Sequence, residues 1–213
     1  MELTWQQKCE QNWDTQQIRN LMGKYEYYHT AHMHTKTAEL FALKTNGVLV
    51  DNSSLGVFKG EEGIRNFFVR FHQTLDGDKK GVLCIHTLTT EVIEVARDGK
   101  TAKGLWFSPG LETRSSMKTG KLEAYWVWGK YAVDFIKEDG EWKFWHFHIT
   151  DNIHCDYDRS WVDAGKEKED VLSNPNIPKP DGPSKYHGTA YTAELVEKLV
   201  PPVPEPYDSY TGE

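Results

Sequence analysis

The first part of the chain carries an apolar stripe with helical spacing. Its members recur at steps of three and four residues, which predicts an amphipathic helix. They are Ile18, Leu21, Met22, Tyr25, Tyr28, His29 and His32. A second, short helix is predicted over residues 36–43. A third begins at Lys59, with acids in its first turn and Ile64, Phe67, Phe68 and Phe71 on one face.

Further along the chain the pattern becomes typical of strands. Residues 47–51 and 56–58 predict two short strands, and residues 82–96, 101–112, 121–137 and 141–153 predict four long ones. Asp-Gly turns after the first and third of the long strands predict two hairpins. Helices followed by a meander indicate an α+β fold, a curved antiparallel sheet wrapped around N-terminal helices as a cone-shaped barrel.

Proline separates the end of the chain from this fold. Eight of the nine prolines lie at or beyond Pro175, where they disfavour helix and central strand. We therefore predict a folded domain over residues 1–155 and an extended, proline-rich tail over 156–213, with one short helix at 192–199. The tail is rich in tyrosine, unlike most disordered segments. We expect it to cap the cone or to wrap across a neighbouring subunit.

Charge and composition exclude several classes of protein. The net charge of −7 comes mostly from residues 156–213, which hold 12 acids and 6 bases, so the domain is nearly neutral and nucleic acid is not expected as a partner. No apolar run is long enough to span a bilayer, and the N-terminus lacks a signal-peptide pattern, so we expect no membrane and a cytoplasmic location. Three scattered cysteines suggest neither disulfides nor structural zinc, and Cys84 is expected to be a core residue.

Histidine and tyrosine are the candidate catalytic residues. His86 stands in an apolar strand, where it is either a titrating acid–base group or a core histidine bonded to a backbone carbonyl. Tyr25 lies one helical turn from His29 and could hydrogen-bond a developing oxyanion, or simply pack in the core. His146 and His148 alternate along the last strand and share a face.

Metal binding is not expected from these histidines. His146-x-His148 could chelate an ion, and His32-x-His34 is a second pair, but residues two apart on a helix do not face each other. No carboxylate stands at recognisable ligand spacing. With no glycine-rich phosphate loop either, we predict neither metal nor cofactor.

Aromatic residues are dense on both faces of the predicted sheet. This density favours a pocket for a hydrophobic, ring-shaped ligand, and also an oligomer interface. The expected substrate-binding residues are Trp106, Tyr125, Tyr131, His148 and Phe68.

Four local sequences carry a resemblance to a known family: residues 18–25, residues 59–64, His86-Thr87-Leu88-Thr89 and residues 139–144. They resemble the SnoaL-like branch of the nuclear-transport-factor-like superfamily, with scytalone dehydratase and bile-acid 7α-dehydratase as the most similar members. The resemblance implies a cone-shaped fold, a trimer (a dimer being possible) and a site with a tyrosine, an aspartate and a histidine. The tyrosine falls on Tyr25 and the histidine on His86. The aspartate position is Thr30 in one pattern and Glu26 in the other, and helical periodicity puts Glu26 towards solvent.

These patterns lead to one functional prediction with two alternatives. We predict a cofactor-free lyase or isomerase that acts on an aromatic or polycyclic small molecule by dehydration, isomerisation, cyclisation or retro-aldol cleavage. His86, neutral at pH 7, would be the base, Tyr25 the oxyanion donor, and His29 or His146 the acid. The alternatives are a non-catalytic binding protein and the small subunit of a ring-hydroxylating dioxygenase.

Overall fold

Four helices and a seven-stranded sheet make up the fold, in a computed structural model that describes residues 3–116, 119–163 and 171–212. The helices are α1 (Trp5–Thr30), α2 (His34–Ala38), α3 (Gly60–Arg65) and α4 (His72–Asp76), with a π-helical turn, Asn66–Phe71, between α3 and α4. The strands are β1 (Leu49–Asn52), β2 (Gly56–Lys59), β3 (Leu83–His86), β4 (Thr89–Val95), β5 (Thr101–Ser115), β6 (Leu122–Glu138) and β7 (Glu141–Asp156). Among the described residues, no helix is both long and apolar enough to cross a membrane.

Helix α1 forms where the apolar stripe predicts it. A capping box starts the helix, because Thr4 accepts from the backbone of Gln7 while the Gln7 side chain bonds back to Thr4. The stripe residues Ile18 and Met22 are almost completely buried. Tyr25 and His29 continue the same face into the interior, so α1 delivers two of the predicted site residues.

The sheet is curved, mixed and open, whereas the sequence predicts a curved, purely antiparallel sheet wrapped as a cone-shaped barrel. Its strand order is β2-β1-β7-β6-β5-β3, and β4 pairs with β5 beside β3. All pairs are antiparallel except β1 with β7, where Leu49 pairs with His146 in parallel. The short first hairpin thus adds to the far end of the meander, and within the described residues β2 and β3 remain at opposite ends of the sheet.

The predicted strand over residues 82–96 is two strands, β3 and β4. The strand is interrupted after His86. Thr90 has a positive φ of 52°, and the register with β5 shifts between Thr89 and Val92. Both pieces pair with β5. The apolar pattern does not reveal this interruption, because each of the two pieces by itself has the residue spacing of a strand.

Aromatic side chains fill the space between the helices and the sheet. Phe41, Phe144 and Phe147 pack on one another, and the last two also pack on Tyr25, with ring centroids about 5–6 Å apart. The π-helical turn contributes Phe67, Phe68 and Phe71, all buried as the third helical stripe predicts.

The tail packs along the sheet of its own chain. Asp181 and Gly182 exchange backbone hydrogen bonds with Val57, at 2.7 and 2.9 Å, which adds a bridge at the β2 edge. The backbone N–H of Tyr191 donates to Asn152 O at 2.8 Å, and Ile177 is only 2% exposed. The helix predicted over residues 192–199 is absent from this described part of the tail, where a single turn is found instead.

Candidate functional site

A cavity of about 1100 Å³ lies between the helices and the inner face of the sheet. Its apolar wall includes Phe67, Phe68 and Phe71, together with Tyr25 and Tyr131. The polar residues His29, His72, His86, Ser108, Glu112 and Arg114 also line it. The arrangement joins a surface suited to a ring-shaped ligand with titratable groups.

His86 and Glu112 form a buried pair in this cavity. His86 Nε2 lies 3.1 Å from Glu112 Oε1. In the β3–β5 register His86 pairs with Gly110, so Glu112 is two residues along β5 and on the same face. Gly110 leaves room for the imidazole, since a Cβ there would lie 2.8 Å from His86 Nδ1 and 2.7 Å from Ile85 O.

The pair holds opposite charges. Burial alone would lower the pKa of His86, but the hydrogen-bonded Glu112 carboxylate raises it well above its usual value. Burial would raise the pKa of Glu112, but His86 and then Arg114 hold it well below its usual range. His86 is therefore an imidazolium near pH 7, which corrects the prediction of a neutral base.

His29 has the opposite character. Burial, followed by the neighbouring His72 and His86, lowers the pKa of His29 well below the usual value, so its imidazole is neutral near pH 7. Its Nε2 lies 3.1 Å from Cys84 Sγ, and its ring centroid lies 5.6 Å from that of His86. Cys84 is consequently a half-buried neighbour of the site and not a fully buried core residue.

Two tyrosines complete the inner wall. The rings of Tyr25 and Tyr131 meet edge to face with centroids 5.6 Å apart, and burial raises the pKa of both phenols. Both hydroxyls therefore remain protonated and can donate. The buried Ser108 side chain, which lies beside the Tyr131 hydroxyl, also lines the cavity.

The structure brings most of the predicted site residues to the cavity. Those that line it are Tyr25, His29, Phe68, His86, Tyr125 and Tyr131. Trp106 does not, because it is 2% exposed and packs in the core against Phe135. The prediction that Trp106 binds substrate is therefore corrected, because its side chain belongs to the core.

His146 and His148 also lie outside the cavity, on the other face of β7. His146 Nδ1 lies 2.8 Å from Asp134 Oδ2, and His148 Nδ1 lies 3.3 Å from Asp51 Oδ2. A bulge at Trp145 turns Phe144 and Phe147 to the interior and both histidines away from it. The expected nearness of His146 to the catalytic groups is therefore wrong.

Glu26 does not point to solvent as helical periodicity predicts. Its Oε1 accepts from the backbone N–H of His86 at 2.8 Å and from the Thr30 hydroxyl at 3.1 Å. Its Oε2 is buried without a partner among the described residues, and burial raises its pKa. Glu26 thus anchors α1 to β3 directly behind the site.

Sequence reasoning missed Glu112 and His72. The sequence does carry a signal for Glu112. Polar residues that line the cavity stand on one face of β5, at alternate positions along the chain, and the residue after β5 continues the series. They are Ser108, Glu112, Arg114 and Ser116. His72 gave no comparable signal, since its position depends on the π-helical turn, where His72 Nδ1–H donates to Phe67 O at 2.8 Å.

Comparison with known families decides the relationship. The model of the SnoaL-like domain family matches residues 10–148. The chain belongs to the SnoaL-like family. Its matched region contains most of α1 and all of β3 and β5, and so includes Tyr25, His29, His86 and Glu112. No curated protein matches the chain in sequence.

Solved structures share the fold of this SnoaL-like protein at low sequence identity. A scytalone dehydratase-like protein from Novosphingobium aromaticivorans is 17% identical, with a TM-score of 0.55 over 73% of this chain and 95% of that one. A hexachlorocyclohexane dehydrochlorinase, LinA-type3 from Novosphingobium barchaimii LL02, is 16% identical, with a TM-score of 0.53 over 72% and 96%. An aromatic ring hydroxylase-like protein from N. aromaticivorans is 21% identical, with a TM-score of 0.51 over 65% and 90%.

Proposed function

We propose that this SnoaL-like protein is a lyase or isomerase that acts by acid–base chemistry on an aromatic or polycyclic small molecule. One observation carries the proposal: two imidazoles with opposite pKa shifts face the same cavity. His29 is neutral and can accept a proton, whereas His86 is protonated and can donate one. Titratable neighbours whose environments push their pKa values apart are typical of paired base and acid roles.

An elimination of water illustrates the division of labour. His29 takes a proton from a substrate carbon, and the electrons of the broken C–H bond form the new double bond. The C–O bond on the neighbouring carbon breaks, and its oxygen takes the proton of His86 and leaves as water. Tyr25 and Tyr131 donate hydrogen bonds to a substrate carbonyl oxygen on which negative charge develops.

Glu112 and Glu26 are positioning residues in this scheme. Glu112 keeps His86 protonated and fixes its ring through Nε2, while Glu26 holds the His86 backbone. After the product leaves, His29 gives its extra proton to water in the cavity, and His86 takes a proton back from that water. The net reaction then needs no other reagent.

The apolar wall of the cavity supports the substrate class, and the names of two structural relatives support the reaction class. The cavity volume of about 1100 Å³ and its phenylalanine wall fit a ligand of one to several rings. Two of the structural relatives bear names that denote eliminations, a dehydratase and a dehydrochlorinase. That likeness concerns the fold, so the reaction on this chain is our proposal.

Turnover of phenolic and polycyclic alcohols, followed by mass spectrometry, tests the proposal. Loss of a positioned acid or base costs on the order of 10²–10⁴ in rate, which we expect for both His29→Ala and His86→Ala. His146→Ala is the matched control, because it removes an equally carboxylate-paired histidine outside the cavity. If compounds of the panel bind but none of them is turned over, the result would contradict catalysis and support a binding protein.

The homo-oligomer, with a trimer favoured, stays a prediction. The outward face of β5 and β6 exposes Phe107, Leu111 and Trp128, by 44%, 38% and 42%. Light scattering on the purified chain gives the subunit number.

A further inference from the structure

A second group of metal-ligating side chains lies outside the cavity. His32 Nδ1 and His34 Nε2 each lie 2.7 Å from Asp76 Oδ2. All three side chains are largely buried, with exposures of 13%, 4% and 9%. None of the three lines the cavity, and no step of the proposed reaction uses them.

Helical spacing does not keep His32 and His34 apart, because helix α1 ends before His32. Helix α1 ends at Thr30 and α2 begins at His34. His32 stands in the turn between them with a positive φ of 54°, an unusual conformation for a residue other than glycine. The turn directs both imidazoles to the end of α4, where Asp76 supplies the carboxylate that sequence spacing could not reveal.

These three donors have the composition of a transition-metal site. Two imidazoles and one carboxylate are a recurrent ligand set for zinc and ferrous ions, which leaves further positions for water. One ligand atom from each residue lies within 4.8 Å of the others. Metal–ligand bonds of about 2.0–2.2 Å can connect atoms at such separations once the carboxylate moves slightly away from the two imidazoles.

We propose that His32, His34 and Asp76 bind one divalent transition-metal ion, which clamps the α1–α2 turn to α4. The clamp lies directly behind the candidate site. The His34 ring packs 5.3 Å from the ring of His72, which in turn lies 5.0 Å from His29. An ion here fixes the layer of histidines that supports His29 and takes no part in the chemistry.

A competing set of donors lies in the cavity itself. His29, Cys84 and His86 also have ligand atoms within 4.8 Å of one another. There, however, His86 Nε2 is already engaged by Glu112, and a metal would have to displace that bond. In the cluster of His32, His34 and Asp76, the side-chain bonds recorded among the described residues are those of the proposed ligands to one another.

Titration of the chelator-treated full chain with Zn²⁺ and Co²⁺ tests the site. We expect one Zn²⁺ per chain by calorimetry and a higher melting temperature with the metal. His34→Ala and Asp76→Asn should each weaken binding by more than about tenfold, since even outer-shell changes cost 10–100-fold. His146→Ala and Cys84→Ala should bind Zn²⁺ as the original chain does.

Cobalt distinguishes the two clusters in the folded protein without any substitution. Bound Co²⁺ should show visible d–d absorption with no thiolate charge-transfer band in the near ultraviolet. A thiolate band, or binding lost in Cys84→Ala and kept in Asp76→Asn, would move the metal to the cavity and overturn the proposal. Absence of stoichiometric binding to the original chain would overturn it as well. His32→Ala, at the most exposed ligand, serves where His34→Ala does not fold, and circular dichroism checks folding.

Discussion

Replacing Glu112 with glutamine removes the charge that keeps His86 protonated. The two side chains keep nearly the same shape, so the substitution tests electrostatics and not packing. Glu112 is a buried carboxylate, and His86 is its hydrogen-bond partner at 3.1 Å. We expect Glu112→Gln to lower the pKa of His86 and to convert the proposed acid to a neutral imidazole.

The size of the effect follows from the distance. At 3.1 Å and an effective dielectric constant of about 20, the attraction between the two ionised groups is about 5 kcal/mol. Loss of that attraction would lower the pKa of His86, because the imidazolium would lose its partner charge. Relaxation and water entry reduce the effect, so we expect the protonated form of His86 to be disfavoured by about 1–4 kcal/mol.

The assay is an NMR titration of the imidazole ¹⁵N and ¹H signals. The spectrum of His86→Gln assigns the His86 signals, and Asp134→Asn, which removes a histidine-paired carboxylate outside the cavity, is the matched control that should leave the His86 signals unchanged. An unchanged pKa of His86 in Glu112→Gln would refute the reasoning and leave the raised pKa without its proposed cause.

The same pair makes stability depend on pH in a defined direction. The folded-state pKa of His86 is raised, so its stabilisation is complete below about 6.5, the usual histidine value, and is lost as the pH rises through the folded value. Denaturant unfolding should show this loss above pH 6.5 in the original chain. Glu112→Gln should show a flatter profile over the same range.

Three further predictions concern single substitutions near the cavity. Gly110→Ala should cost about 1–3 kcal/mol of unfolding free energy and displace His86, because its Cβ would lie 2.8 Å from His86 Nδ1, whereas Gly182→Ala, with no atom within 4 Å, should be nearly neutral. Burial lowers the pKa of His72 to about 4, so protonation of the unfolded chain should destabilise the protein by up to about 3 kcal/mol as the pH falls from 6.5 to 4, and His72→Asn should remove this acid sensitivity in urea unfolding. Tyr25→Phe should lower turnover by about 10²–10³ with little change in melting temperature, and an unchanged rate would exclude the tyrosine as an oxyanion donor.

Much of the fold could be predicted because single elements bury their own side chains. The α1 stripe places Ile18 and Tyr25 in the core, and the hairpin at Asp139 and Gly140 forms with both residues at positive φ. The parallel pairing of β1 with β7 could not be predicted, since nothing local to either strand specifies a partner so far along the chain.

The candidate site was predictable only in part for the same reason. Tyr25, His29 and His86 each stand out by residue type on a buried face. The role of His86 was wrong because its protonation depends on Glu112, which sits on a different strand and comes close only through the β3–β5 register. Glu26 was misplaced because β3 packs against the side of α1 that periodicity alone assigns to solvent.

The parallel pairing of β1 and β7 has a consequence for the chain as it is being synthesised. Leu49 to Asn52 emerge from the ribosome long before His146 to Ile149, the residues that complete the sheet beside them. Until then Val50 and Phe58, buried in the finished fold, must remain exposed or be covered by a chaperone. Contacts between such distant segments also slow folding, because a long loop must close before they form. A nascent chain that stalls between β6 and β7 would present β1 and β6 as open edges, and we expect aggregation in the cell to begin from that intermediate.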